Sequence, residues 1–200
     1  VACEFSGVVR RAFREKGHDA WSCDLHPALD DSDYHIQGDI FKVLSLPYLG
    51  QWDLMIAHPP CTYLSSSGLH WNKRYPERQQ KTEEALEFVK ALMEVEIPKI
   101  CIENPVGCIS TRIRPPDQYI QPYEFGEDAS KKTGLWLKNL PKLIPTSFVE
   151  PSHHGNKYYA NQTPSGQNKV GPSETRGLER SITFRGIAAA MALQWGDLPT

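Results

Sequence analysis

Short apolar runs alternate with helix-period patterns through the first half of this chain. Val1 to Phe5 reads as a strand, and Val8 to Lys16 as a helix closed by Gly17. Ala20 to Asp24 suits a second strand, and Asp53 to Ala57 a buried one. The clearest helix runs from Pro76 to Val95. Pro76 fits a first helical position, Glu77 and Lys81 form an i,i+4 pair, and Ala85, Phe88, Val89 and Leu92 line one face. Lys99 to Ile102 is another buried strand. This rhythm predicts an α/β domain on a mostly parallel sheet with helices on both faces. Candidate strands follow near Tyr119 to Phe125 and Gly134 to Lys138. A terminal helix from about Arg185 to Trp195 carries Ile187, Met191 and Trp195 on one face, and Trp136 and Trp195 read as core.

Glu150 to Arg176 breaks the pattern. Its apolar content is Tyr158, Tyr159, Ala160 and Val170, and the rest is rich in Gly, Asn, Ser, Pro and Gln. Such a stretch cannot form its own core, so it is expected to be disordered or to order against something else. Tyr158 and Tyr159 would either stack on bases or pin this loop to the body. The expected organisation is a catalytic and cofactor-binding domain over 1–142, a polar insertion over 143–179, and a C-terminal helix over 180–200 packing back on the first part.

Composition narrows the class. The 200 residues carry 22 Lys+Arg against 24 Asp+Glu, a formal charge of -2, so the total alone gives no hint of a nucleic-acid partner. No run of 18 apolar residues predicts a membrane span, and no charged-then-apolar leader opens the chain. The five cysteines include no Cys-x-x-Cys pair, which fits a reducing, intracellular (cytoplasmic) setting and no metal. His153-His154 lacks a spaced carboxylate or Cys and reads as loop.

In a doubly wound sheet, ligands bind outside the carboxyl ends of the strands, so the residues after each strand form one set. They are Glu4-Phe5-Ser6-Gly7, Asp24-Leu25, Gly38-Asp39-Ile40, His58-Pro59-Pro60-Cys61 and Glu103-Asn104-Pro105. The Ser-Gly turn would let a ligand approach and leave helix-end amides free. Asp24 could accept from ribose hydroxyls, and Asp39 from an exocyclic amine. Cys61, presented on a stiff Pro-Pro turn, is a candidate nucleophile given a base or a lowered pKa. Glu103, ending an apolar strand, is expected to be desolvated, with its pKa raised toward neutrality.

Pro59-Pro60-Cys61 followed by Glu103-Asn104-Pro105 resembles the paired Pro-Cys and Glu-Asn-Val signatures of DNA cytosine-5 methyltransferases. Phe5-Ser6-Gly7 is similar to their cofactor turn, and Arg180-Ser181-Ile182-Thr183-Phe184-Arg185 resembles their Arg-x-Leu-Thr-Pro-Arg. The compact members carried by bacteriophages and prophages are the nearest in kind. The resemblance implies a Rossmann-like S-adenosylmethionine-dependent methyltransferase fold with a reduced target-recognition region, working in a bacterial or phage-infected cell. It implies that Cys61 attacks ring carbon 6 of a flipped cytosine while Glu103 protonates ring nitrogen 3. Carbon 5 then takes the methyl group, with S-adenosylhomocysteine as product. Phe5, Ser6, Gly7, Asp24, Leu25, Asp39, Ile40 and Pro59 would hold the cofactor. Lys132 would stand in for the first arginine of the family's Gln-x-Arg-x-Arg strand, and Gly134 for the second. Ser66, Trp71, Lys73, Arg74, Lys131, Arg180 and Arg185 would meet duplex DNA. Thr62 to Arg74 is expected to be a mobile loop closing over the site and filling the gap left by the flipped base.

Departures leave other classes open. Val8-Val9 follows Gly7 where the family has a second glycine, and lysine lacks arginine's planar fork. An amino-group methyltransferase is disfavoured because His58 and Cys61 both break its motif. A non-catalytic or retargeted relative, acting on RNA, a free nucleotide or another one-carbon group, remains. Local charge revises the neutral total. Ala129 to Arg185 holds nine Lys and Arg against three acids, whereas Asp19 to Asp39 holds six Asp and no base. A phosphate-binding face is compatible with that distribution.

Overall fold

The computed structural model describes residues 1–46, 51–155, 157–166, 169–170 and 176–199. Part of the polar segment, and Glu174 of the basic stretch, lie outside the described residues. Helix α1 (Val8–Glu15) is followed by β1 (Ser22–Asp24), β2 (His35–Gln37), α2 (Ile40–Leu44) and β3 (Leu54–Ala57). Next come α3 (Ser66–Leu69), a 3-10 turn at His70–Lys73, α4 (Pro76–Glu94), β4 (Lys99–Pro105), α5 (Ile109–Arg112) and β5 (Gln118–Ile120). A second 3-10 turn (Pro122–Glu124), β6 (Thr133–Lys138), β7 (His153–His154), β8 (Tyr158–Tyr159), α6 (Arg176–Ser181) and α7 (Arg185–Trp195) complete the order.

Ala2 bridges Cys23 on one side and Ala57 on the other, both in parallel. The order across the sheet is therefore β2, β1, Ala2, β3, β4, β6, β5. The pairs β1–β2 and β3–β4 are parallel, whereas β6 runs antiparallel to both β4 and β5. The result is a mixed, partly parallel sheet, compatible with a Rossmann-like arrangement in which the order reverses on either side of the first strand.

Alternation along the strands divides the interior in two. Met55 and Ala57, Ile100 and Ile102, and Trp136 join Leu86, Val89 and Leu92 of α4 in one core. Ile56, Cys101 and Leu135 face the other way, against Val9 and Phe13 of α1 and Ile187, Met191 and Trp195 of α7. Both tryptophans are buried, and each indole N–H reaches a backbone carbonyl: Trp136 that of Arg114 at 2.8 Å, Trp195 that of Pro141 at 3.0 Å. A buried ring thereby keeps its polar atom satisfied.

Several expectations change. The strand over Val1 to Phe5 contracts to Ala2, because Cys3 takes a left-handed φ of 56° and turns the chain out of extended geometry. β6 reverses because twelve residues link it to β5, none of them in a crossover helix, and a reversed neighbour needs none. β4 extends to Pro105 because β6 pairs with it as far as Thr133. The strand over Tyr119 to Phe125 stops at Ile120, where Pro122 opens the second 3-10 turn. Within the polar segment, β7 and β8 form a small hairpin. Tyr159 stacks on Tyr123 at 6.3 Å and meets the tilted His153 ring at 4.5 Å, so this tyrosine pins the loop to the body. Among the described residues no helix is long and apolar enough to cross a membrane, and no group of three or more His, Cys, Asp or Glu could hold a metal ion.

Candidate active site

β3 ends at Ala57, and the next four residues turn outward. Pro59 and Pro60 stiffen that turn. Asn104, at the end of β4, donates from Nδ2 to the Pro59 carbonyl at 2.7 Å. The Cys61 carbonyl accepts from Leu64 N at 3.1 Å and Ser65 N at 2.9 Å, which closes the turn behind the thiol. Cys61 is half-buried. Because Ala57 pairs with Ile102, His58 and Glu103 follow as neighbours across β3 and β4. The His58 Nδ1 lies 2.7 Å from Glu103 Oε2, and both residues are 8% exposed. A carboxylate only accepts, so Nδ1 carries the hydrogen of this bond. His58 Nε2 is buried with no hydrogen-bond partner.

The opposite wall comes from distant sequence. Lys131, just before β6, donates from its backbone N to Gln121 Oε1 at 3.0 Å and from Nζ to the Arg180 carbonyl at 3.2 Å. Burial pushes the Glu103 carboxyl up, but the Lys131 charge, the His58 hydrogen bond and charge, and the Thr133 hydroxyl outweigh it and hold Glu103 down at about 2. The expectation of a raised carboxyl is therefore corrected: desolvation is real, but two basic groups override it. Burial raises the Cys61 thiol above its ordinary value. Lys131 and Arg180 pull it down and Glu103 pushes it up, without reversing that direction. At rest the site thus pairs a protonated thiol with an ionised carboxyl.

Lys132 is the second correction. It is exposed, with Nζ 4.5 Å from the centre of the Tyr119 ring, while its neighbour Lys131 acts on Glu103 and Cys61. Lys131→Ala should therefore move the Glu103 carboxyl upward from about 2, while Lys132→Ala leaves it in place. Carbon-13 NMR titration of the Glu103 side chain measures both, and equal effects would contradict this assignment.

Glu4, Phe5, Ser6, Gly7, Asp24, Asp39 and Pro59 follow neighbouring strands of the parallel half. Gly7 is left-handed at φ 67°, and a Cβ there would strike the Arg10 guanidinium at 2.3 Å, so both conformation and space demand glycine. The first-turn amides of α1 are not free, contrary to expectation. The buried Glu4 carboxylate accepts from Val9 N at 2.6 Å and Arg10 N at 3.2 Å, and Ser6 Oγ accepts from Val8 N at 3.4 Å. Asp24 Oδ1 accepts from His26 N at 2.9 Å. Asp39 Oδ1 caps α2, accepting from Phe41 N at 2.8 Å and Lys42 N at 3.2 Å. Leu25 is 71% exposed, Ile40 and Pro59 are buried, and Phe5 meets the His26 ring edge-on at 6.1 Å. Part of the acidic stretch is neutralised internally, since Asp30 pairs with both Arg10 and Arg11.

The segment after Cys61, expected to be a loop, is two helical turns. Asn72 Nδ2 donates to Thr82 Oγ1 at 2.9 Å and ties it to α4. Its outer surface is aromatic and basic. Trp71 lies 4.8 Å from the His70 ring and 6.0 Å from Tyr75, with the Arg74 guanidinium within 5.9 Å of both large rings. Ser66, Lys73 and Arg74 are exposed there, as is Arg185 at the start of α7. Arg180 is half-buried near Cys61. Sequence reasoning missed Glu4 as a helix cap, His58 as the partner of Glu103, and Tyr63 beneath Arg78 and Lys81. An acid five residues before the capped amide, and a histidine at a strand exit level with an acid, were the available signals.

A cleft lined by His18, Trp21, Trp52 and Gly196 opens near the amino ends of β1 and β3 instead, and its lining includes no thiol and no buried carboxylate. No protein-family model matches the chain, and no curated protein matches it.

Proposed function

We propose that this chain methylates carbon 5 of cytosine in DNA, using S-adenosylmethionine and a transient bond from Cys61 to ring carbon 6. One observation carries the reading: adjacent parallel strands bring a half-buried thiol and a buried carboxyl to one mouth, with Lys131 acting on both. Carbon 5 of cytosine is a poor nucleophile until carbon 6 is attacked. That attack needs a thiolate on one side of the ring and proton control at nitrogen 3 on the other. Cys61 and Glu103 are those two groups.

The cofactor end favours a ligand that is cationic and free of phosphate. A pyrophosphate would need the first-turn amides of α1, and there it would meet the Glu4 carboxylate instead. Glu4, Asp24 and Asp39 suit an ammonium group, ribose hydroxyls and an adenine amine. Phe5, Ser6, Gly7, Leu25, Ile40 and Pro59 complete the residues that would hold the adenosine. When bound, S-adenosylmethionine supplies an electrophilic methyl group. The chain's residues add the rest: Cys61 bonds to carbon 6, Glu103 exchanges the proton at nitrogen 3, and Lys131 steadies both charges. Loss of the carbon 5 proton to water then lets the sulfur–carbon bond break. Reaching the base costs roughly a few kcal/mol of unstacking. Trp71 can fill the gap, while Lys73, Arg74, Arg180 and Arg185 meet phosphates and Ser66 the backbone.

DNA carrying 5-fluorocytosine, mixed with the protein and S-adenosylmethionine, tests this directly. The expected result is a protein–DNA complex that survives a denaturing gel. Intact binding of both ligands with no such complex would overturn the proposal.

Asp39 offers a separate check on the cofactor. Asn caps a helix as well as Asp does, so Asp39→Asn should weaken S-adenosylmethionine binding with no change in melting temperature. Asp39→Ala should do both, at a stability cost of about 1 kcal/mol. Calorimetry and thermal denaturation separate the two effects, and undiminished affinity in the Asn variant would count against the cofactor assignment.

A further inference from the structure

We propose that His58 is a proton relay in this site: it takes the proton of Cys61 at Nε2 and releases another from Nδ1 to Glu103, which passes it to the substrate ring. The inference rests on the methyltransfer reading and deepens it. Three features of the fold carry it. Both His58 and Glu103 are buried, and the His58 side chain is 5% exposed. Nδ1 is committed to Glu103 Oε2 at 2.7 Å, which fixes the tautomer and leaves Nε2 with a lone pair. That Nε2 has no hydrogen-bond partner, although leaving a buried acceptor alone is costly. Only Pro59 and Pro60 separate His58 from Cys61, and both stiffen the turn between them.

A thiol raised by burial does not ionise unaided at neutral pH, and the proton it gives up must reach ring nitrogen 3 on the far side of the site, where Glu103 stands. The step balances without outside reagents. The Cys61 S–H bond breaks and an Nε2–H bond forms, while the Nδ1–H proton moves to Glu103. As the sulfur bonds to carbon 6, the C5=C6 pair shifts to C4–C5 and the C4=N3 pair moves onto nitrogen 3, which takes the proton from Glu103. Elimination of Cys61 returns it along the same path.

The charged and titratable groups around the pair come from every neighbouring element. Lys131 and Arg180 stand across the mouth, Cys61 is on the same turn, and Cys101 lies beneath Glu103 on β4. Cys3 and Glu4 follow Ala2, whose carbonyl accepts from His58 N at 2.9 Å.

Alkylation of Cys61 by iodoacetamide, followed on its peptide by mass spectrometry between about pH 6 and 9.5 with no cofactor or DNA, reads the first transfer. Wild type should react at a rate that rises far less steeply than hydroxide concentration. His58→Asn and His58→Gln should react about 10²-fold more slowly at pH 7 and rise in proportion to hydroxide. Formation of the fluorocytosine complex should show the same change of profile, with melting temperatures confirming that both variants fold. Superimposable alkylation profiles in wild type and a folded variant would overturn the relay. Differing profiles with no wild-type complex would overturn methyl transfer while supporting the relay to Cys61.

Discussion

Cys61→Ala is expected to leave no covalent complex with 5-fluorocytosine DNA and to lower methyl transfer by at least about 10³-fold. On the proposed mechanism nothing then adds to carbon 6, and carbon 5 keeps its aromatic inertness. Binding and orientation alone recover only a small part of the rate, because a missing nucleophile cannot be replaced by proximity. The fold should survive. Cys61 belongs to neither hydrophobic core, and its structural role is its backbone carbonyl, which Ala retains. Cys61→Ser should be nearly as inactive, since a hydroxyl beside an already ionised Glu103 is a far poorer source of a nucleophilic anion. Single-turnover transfer of labelled methyl is the measurement, and an Ala variant within tenfold of wild type would refute covalent catalysis.

Gly186→Ala is the substitution expected to harm the fold most for its size. An added Cβ would sit 1.7 Å from the Phe125 carbonyl oxygen and 2.8 Å from its carbon, both backbone atoms that no rotamer change can move. The amide of Gly186 also donates to Glu127 Oε1 at 3.2 Å, so the start of α7 is held from two sides. Making room means withdrawing α7, and with it Ile187, Ala188, Met191 and Trp195, from the second core. Overpacking of this kind costs about 3 kcal/mol. In a chain of this length the melting temperature should fall by roughly 6–12 °C. Gly177→Ala, in α6 with open space around its Cα, is the control and should be neutral or slightly stabilising. Thermal unfolding of the pair decides the matter: equal melting temperatures would mean that α7 does not dock as described.

What could be read from the chain alone follows the reach of each signal. Met55-Ile56-Ala57 and Ile100-Cys101-Ile102 announce buried strands because a sheet covered on both faces buries every residue. Cys61 and Glu103 stand out for the same reason, since each marks the place where such a run meets the site. Direction was less visible. Nothing in Gly134 to Lys138 says which way the strand runs, because antiparallel pairing depends on the length and path of the preceding connection. Lys131 and Lys132 differ by one position outside any periodic element, so only the packing of Thr133 and the Arg180 carbonyl chooses between them. The charge state of Glu103 is not legible locally, because its own strand is apolar and the ammonium that overrides desolvation lies 28 positions away. In the sequence Glu4 reads as the end of a strand, and its part in capping α1 emerges only once Cys3 turns the chain.

The packing of α1 against α7 joins segments that are made far apart in time. Val9 and Phe13 are synthesised well before the partners that cover them, Ile187, Met191 and Trp195, so the second core cannot close until α7 has emerged. Contacts this distant in sequence close slowly, and until they do the apolar face of α1 is open to a chaperone or to another chain.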